Sequence, residues 1–194
     1  MLIVTVRNPR RKMICYQLTN SQISRCRSAA KQVTERRSRF SKGKGSQWHQ
    51  GQFGSPDVST RVGFFGEIAL YEIISVWFKS IPVPNIDPVK KVQRYDFDWK
   101  TPVGQKHEVK TTVAEAESER NYVREKAVES ADTFWFLSTP DTENGLVYLR
   151  GWCRREELLE RSVRAKGKGN WENLLIETES LNSMNDFLDM RKSK

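Results

Sequence analysis

Asp96 and Asp98 lie in the stretch YDFDW, and Glu108 and Lys110 in HEVKTT a little further on, with TPVGQ at 101–105 between them. The middle stretch reads as a turn and its flanks as strands, so the whole is expected to form a hairpin. Residues i and i+2 of a strand share a face. Glu108 and Lys110 therefore point one way and Val109 the other, and Asp96 and Asp98 likewise share a face. A turn centred near Val103 sets Asp98 opposite Glu108 and Asp96 opposite Lys110, gathering carboxylates and one ammonium on a single patch of sheet. Such a patch offers hard oxygen ligands to Mg2+ or Mn2+, and Mg2+ takes few carboxylates and keeps several waters. A metal held there lowers the pKa of a bound water and stabilises charge on a phosphate under attack. A lysine beside it orients the water or offsets the developing charge. Phosphodiester hydrolysis needs this set. The same residue pairs also occur on solvated hairpins, where they stabilise the sheet modestly and do no chemistry.

The rest of the chain must supply the scaffold. LIVTV at 2–6 and MICYQL at 13–18 read as short strands around a basic turn, and a helix is expected from Thr19 to about Arg39, with Asn20 or Ser21 as N-cap. The Gly-rich, polar stretch 41–57 reads as a loop. VGFFGEIALYEIISVWF, Val62 to Phe78, is apolar around most of its circumference and is expected to be a central, buried helix ended by Pro82 and Pro84. After the hairpin strands at 91–99 and 106–113, the pattern predicts a helix over 118–130, strands at 133–137 and 146–152, a helix at 154–162, a strand at 173–177 and a short helix in SMNDFLDM. That order describes an α/β or α+β domain around a mixed sheet.

Glu67 stands out within the apolar helix, because its neighbours at i±3 and i±4 are Gly63, Phe64, Leu70 and Tyr71. A carboxylate on such a face is costly unless it has a partner, and a metal or its waters would be one. A helix that began near Arg61 would instead make Glu67 a first-turn acid favoured by the helix dipole.

GFFGEIAL, YDFDW and HEVKTT, in that order, resemble the PD-(D/E)XK nuclease superfamily, also called restriction-endonuclease-like. The resemblance covers about residues 60–137. It implies an αβββαβ core with a mixed sheet flanked by helices, a divalent metal (Mg2+ or Mn2+), and nucleic-acid hydrolysis. It implies Glu108 as a metal-binding acid, Lys110 as the lysine of the Glu-x-Lys pair, Glu67 as the helix acid, and either Asp96 or Asp98 as the strand aspartate. The literal Pro56-Asp57 is expected to precede the helix and play no part. The implied activity is that of a DNA endonuclease of restriction, phage or repair type; the alternatives are an RNA-cleaving relative and a non-catalytic binding protein on the same fold.

The charge distribution points to the partner. Residues 1–61 hold thirteen Lys and Arg against Glu35 and Asp57, whereas the remainder is nearly neutral, within a net charge of +9. A basic segment at 1–57 joined to a domain at 58–194 suggests a polyanion, with duplex DNA the expected one. Arg25, Arg27, Lys31, Arg36 and Arg37 on the first helix, Lys42 and Lys44 in the loop, and Arg120 and Arg124 beyond the hairpin are the expected phosphate contacts. Symmetric cutting of both strands would call for a homodimer. Cys15, Cys26 and Cys153 have no zinc-knuckle spacing and are expected as free thiols. With His49 and His107 alone, a histidine-rich metal site is hard to assemble, and His107 should point away from Glu108. No apolar run reaches membrane-spanning length, and an intracellular protein is expected.

Overall fold

The computed structural model describes residues 3–7, 12–41, 56–76, 81–84, 86, 98–101, 103–115, 119–166 and 172–187. Asp96, Lys42, Lys44 and the greater part of the expected strand 91–99 lie outside them.

The chain forms a mixed α+β structure in three layers. Its centre is a six-stranded sheet in the order β1-β2-β7-β6-β4-β3, made from β1 (Ile3–Arg7), β2 (Lys12–Gln17), β7 (Leu146–Arg154), β6 (Thr133–Ser138), β4 (Lys106–Thr112) and β3 (Trp99–Lys100). All neighbours are antiparallel except β4 and β6, which run parallel with Glu108 beside Phe134 and Lys110 beside Phe136. TFWFLS in β6 is buried at every position, as a strand covered on both faces must be. Val109, Trp135, Leu137, Val147 and Leu149 turn to one face and join the core made with the helices. Phe134, Phe136 and Cys153 turn to the other.

Helices α1 (Asn20–Ser41) and α2 (Pro56–Ser75) cover the first face. Ile23, Cys26, Ala29, Ala30 and Val33 form the buried stripe of α1, and the exposed Arg25, Arg27 and Lys31 lie on its outer side. Its N-cap is Thr19, one or two residues earlier than expected, because a capping box forms there. The Thr19 hydroxyl accepts from the Gln22 N–H at 3.2 Å, and the Gln22 side chain accepts from the Thr19 N–H at 2.9 Å. The basic N-terminal stretch is thus built into the sheet and the core. Helix α2 begins at Pro56, not near residue 62, because Pro56 suits the first helical turn and Asp57 follows it there. Glu67 consequently sits three turns into the helix, out of reach of the dipole that favours acids at an N-terminus.

The opposite face is covered by a three-stranded sheet, β5-β9-β8, with β5 (Arg120–Arg124), β9 (Glu172–Glu177) and β8 (Val163–Lys166), by α3 (Arg155–Arg161), and by a 3-10 turn at Glu125–Ser130. The helix expected over 118–130 is replaced by β5 and that turn. Arg-Asn-Tyr-Val-Arg alternates exposed and buried positions with period two, and one helical face could not bury Asn121 and Val123 without also burying charge. Strand β8 was not anticipated, while β6, β7, α3, β9 and a helical turn at 184–187 lie where the pattern puts them. The three cysteines are buried and are not in disulfides. Among the described residues no helix is long and apolar enough to cross a membrane.

Helix α2 approaches β4 closely at one point. A Cβ on Gly66 would lie 1.7 Å from Thr111 Oγ1, whereas a Cβ on Gly63 would meet nothing within 4 Å. Gly66→Ala is therefore expected to destabilise the fold by about 1–3 kcal/mol through overpacking. Gly63→Ala should be neutral or stabilise by up to about 1 kcal/mol, since it improves helix propensity without a clash. Urea unfolding of the two variants checks the pair.

Candidate active site

The hairpin has the expected register where it is described. Trp99 pairs with His107 and Lys100 with Lys106, and the turn closes through Thr101, whose N–H donates to the Gln105 carbonyl at 2.9 Å. Extending that register puts Asp98 level with Glu108, but the chain leaves the ladder at Asp98. Its N–H donates to the His107 carbonyl at 2.9 Å, and its Oδ2 accepts from the Val109 N–H at 2.7 Å. The Asp98 carboxylate thus satisfies a backbone donor on the edge of β4 just where β3 has stopped. That donor would otherwise be open to another strand.

Glu108 and Lys110 project from the same face of β4, and Glu108 Oε1 is in direct contact with Lys110 Nζ. Glu108 is buried at 8 % exposure, and the Lys110 side chain is more open at 29 %. Their face is the one turned toward Phe134 and Phe136, away from α2. Val109 and Thr111 face the helices instead. Glu67, on α2, is buried beside α1, where desolvation and the Glu67 charge push the Cys26 thiol up to about 12. Alternation along β4 therefore keeps Glu67 on the helix side of the sheet and the Glu108–Lys110 pair on the other.

His107 is buried and stacks on Trp99 with centroids 3.9 Å apart. Its Nδ1 accepts from Trp135 Nε1 at 3.1 Å. It anchors β4 in the core on the face opposite Glu108, the structural role expected of it.

Beyond Lys110 opens a cavity of about 470 Å3 between the two sheets, lined among others by Lys110, Thr112, Arg120, Asn121, Tyr122 and Phe136. Strand β5 forms its far wall. Arg120, Tyr122 and Arg124 are exposed, while Asn121 turns inward and donates to the Ile176 carbonyl at 3.2 Å and to Thr178 Oγ1 at 3.1 Å. Behind this wall lies Arg150, only 1 % exposed. It donates to the Arg120 carbonyl at 3.3 Å and to Thr178 Oγ1 at 2.7 Å. No carboxylate pairs with it among the described residues, and burial pushes its pKa down to about 10. Arg150 is the extra residue of a β-bulge, since Phe136 pairs with Gly151 and Leu137 with Leu149. The bulge needs Gly151, whose φ is +151° and whose Cβ would lie 2.7 Å from the Asn182 carbonyl oxygen. Neither the bulge nor the contribution of Tyr122 and Arg150 was anticipated from sequence. The alternation of RNYVR carried the one available signal.

Other expected contacts lie apart from this cavity. Arg27 pairs with Glu143 at 2.5 Å, and Arg61 reaches the same carboxylate at 2.8 Å, which ties α1 and α2 to the turn before β7. Arg25 and Lys31 remain exposed on α1, and Arg36 is half-buried. Arg37 lies in the last part of that helix.

No three carboxylate, imidazole or thiol groups converge as a metal-binding cluster among the described residues. The donor set still suits Mg2+, which needs only one or two carboxylates. Glu108 would provide one, and Asp98 or Asp96 the second. Because Asp98 also holds the edge of β4, its two roles separate by mutation. Asp98→Ala is expected to cost about 1–3 kcal/mol by leaving the Val109 N–H unsatisfied, whereas Asp98→Asn keeps an acceptor and should melt near the wild type. Thermal denaturation of both variants distinguishes them. No protein-family model and no curated protein matches the chain.

Proposed function

We propose that this chain is a divalent-metal-dependent nuclease of the PD-(D/E)XK type, acting as a DNA endonuclease. The observation that carries the reading is the Glu108–Lys110 pair, held side by side on one face of β4 at the head of a cavity that also presents Arg120.

The site's chemistry follows from its residues. When bound, Mg2+ or Mn2+ would supply an activated water and positive charge at the scissile phosphate. Glu108 holds its carboxylate where water is largely excluded, so charges act there more strongly than in bulk solvent. Lys110 stands between Glu108 and the open cavity, placed to orient a nucleophile or to meet charge developing on the phosphate. Val109 and His107 lock the strand from the opposite face, which keeps the pair in register. Asp98, or Asp96 outside the described residues, would complete the oxygen ligands, Asp98 through the carboxylate that also accepts from the Val109 N–H. Glu67 has no part in this assignment. Arg25 and Lys31 are exposed on α1, across the sheet from the pair, so phosphate contacts there would add affinity and take no part in the reaction.

Glu108→Gln and Lys110→Ala should each lower the rate of DNA cleavage by about 100-fold or more, the cost of removing a group that acts on the transition state. Neither should much change DNA binding measured in EDTA, because affinity is spread over many basic side chains. Folding of both is checked by circular dichroism. Full cleavage by either variant would remove the pair from the chemistry.

A further inference from the structure

Strand β5 bears a feature that cleavage of a phosphodiester does not require. Tyr122 is 45 % exposed and is the one aromatic side chain among the large exposed hydrophobics of the described residues. It lies on the outward face of β5 between Arg120 and Arg124, each two residues away and so roughly 6.5–7 Å along the strand. Across the three-stranded sheet its cross-strand partner is Leu175, and Leu175 pairs in turn with the exposed Val163. An exposed ring between two guanidinium groups, at the mouth of a cavity lined by Lys110, makes a surface with more basic than acidic side chains and one flat apolar patch, Glu177 standing opposite Arg120 in the cross-strand register. The buried cation Arg150, bonded to the Arg120 carbonyl and opposed by no carboxylate among the described residues, adds to the positive field there.

We infer that Tyr122 is a stacking platform for an unpaired nucleobase, with Arg120 and Arg124 taking the flanking phosphates, so that the strand entering the Glu108–Lys110 site is single-stranded at that point. The inference rests on the nuclease reading for its location and on the surface for its substrate class. A base inside a duplex has both faces covered by its neighbours, so away from a duplex end a ring at the surface gains stacking from a base that has left the helix. Every base has such a face, which makes stacking a sequence-tolerant contact, and a basic track beside the ring follows the backbone. A protein segment would satisfy the apolar row Tyr122–Leu175–Val163 equally well, but a phosphate backbone also offers charge complementary to Arg120 and to Lys110 in the cavity.

The test is binding by fluorescence anisotropy in EDTA, where no cleavage intervenes, to a labelled oligo-dT, a blunt duplex and a duplex with a single-stranded tail. The proteins compared are the full chain, Tyr122→Ala and Tyr122→Trp. The expected result is a loss of roughly 5- to 150-fold for Tyr122→Ala on the oligo-dT and the tailed duplex. Tyr122→Trp should retain affinity, and the blunt duplex should bind Tyr122→Ala as it binds the wild type. Tyr122 is exposed, so an unchanged melting temperature is expected for both variants. Equal binding of oligo-dT by Tyr122→Ala and wild type, or an equal loss on all three ligands, would overturn the inference. Failure of the wild type to bind any single strand would also overturn it and leave this face to a protein partner. Cleavage assays with Mg2+ on the same oligonucleotides separate this inference from the nuclease reading. Cleavage with no effect of Tyr122→Ala on binding would defeat the stacking role alone. The predicted binding pattern with no cleavage under any metal would defeat the nuclease reading alone.

Discussion

The parallel pairing of β4 with β6 is the constraint on which the rest of the molecule depends. An antiparallel neighbour can be reached by a tight turn; a parallel one cannot, so after Thr112 the chain must leave the sheet, cross its face and re-enter at Thr133. That crossover carries β5 and the 3-10 turn, and β5 in turn recruits β9 and β8 to form the second sheet. The cavity beside Lys110 is the gap left between β5 on that crossover and the strands that it connects. The position of Arg120 and Tyr122 next to the Glu108–Lys110 pair is therefore a consequence of topology.

Two costs are accepted to keep that geometry. Arg150 is buried with no acid partner among the described residues, although burying a cation is expensive unless its donors are met. Its two bonds, to the Arg120 carbonyl and the Thr178 hydroxyl, span the two sheets and fix the start of β5. The bulge that aims it there displaces the side-chain alternation of β7 by one, so that Leu149 and Trp152, three residues apart, both face the helices. Gly151 makes that displacement possible. The second cost is the close approach of α2 to β4 at Gly66, which sets the helix against the strand and leaves Glu67 buried near Cys26. The first feature fixes the start of β5, and the second sets α2 against the strand that bears Glu108 and Lys110.

The second strand of the hairpin, the central buried helix and β6 were legible in the sequence because each is written in a local pattern: a period of two for HEVKTT, an apolar circumference for the helix, a continuous apolar run for TFWFL. Thr19 was missed as N-cap because Asn20 and Ser21 are equally good capping types, and the choice depends on which side chain Gln22 can reach. RNYVR falls inside the segment 118–130 that is expected to be helical. Its strand state is fixed by pairing with β9, about fifty residues further on, and the alternation of RNYVR is the one local sign of it. The bulge at Arg150 is also tertiary, since it answers to the bridge between Trp152 and Asn182. For the candidate site, the pairing of Glu108 with Lys110 followed from alternation alone. The engagement of Asp98 with the Val109 N–H did not, because it requires β3 to end one residue before the register would place that carboxylate on the face of the sheet.

The central claim is that the patch around Glu108 and Lys110 cleaves phosphodiester bonds with the help of a divalent cation. The most direct measurement is incubation of the purified full chain with plasmid, linear duplex, single-stranded DNA and RNA, each with Mg2+, Mn2+ or EDTA, followed by electrophoresis. The account predicts cleavage of DNA with Mg2+ or Mn2+, none in EDTA, and recovery when excess metal is restored. Intact nucleic acid under every metal condition, from protein shown to be folded and to bind it, would contradict the account.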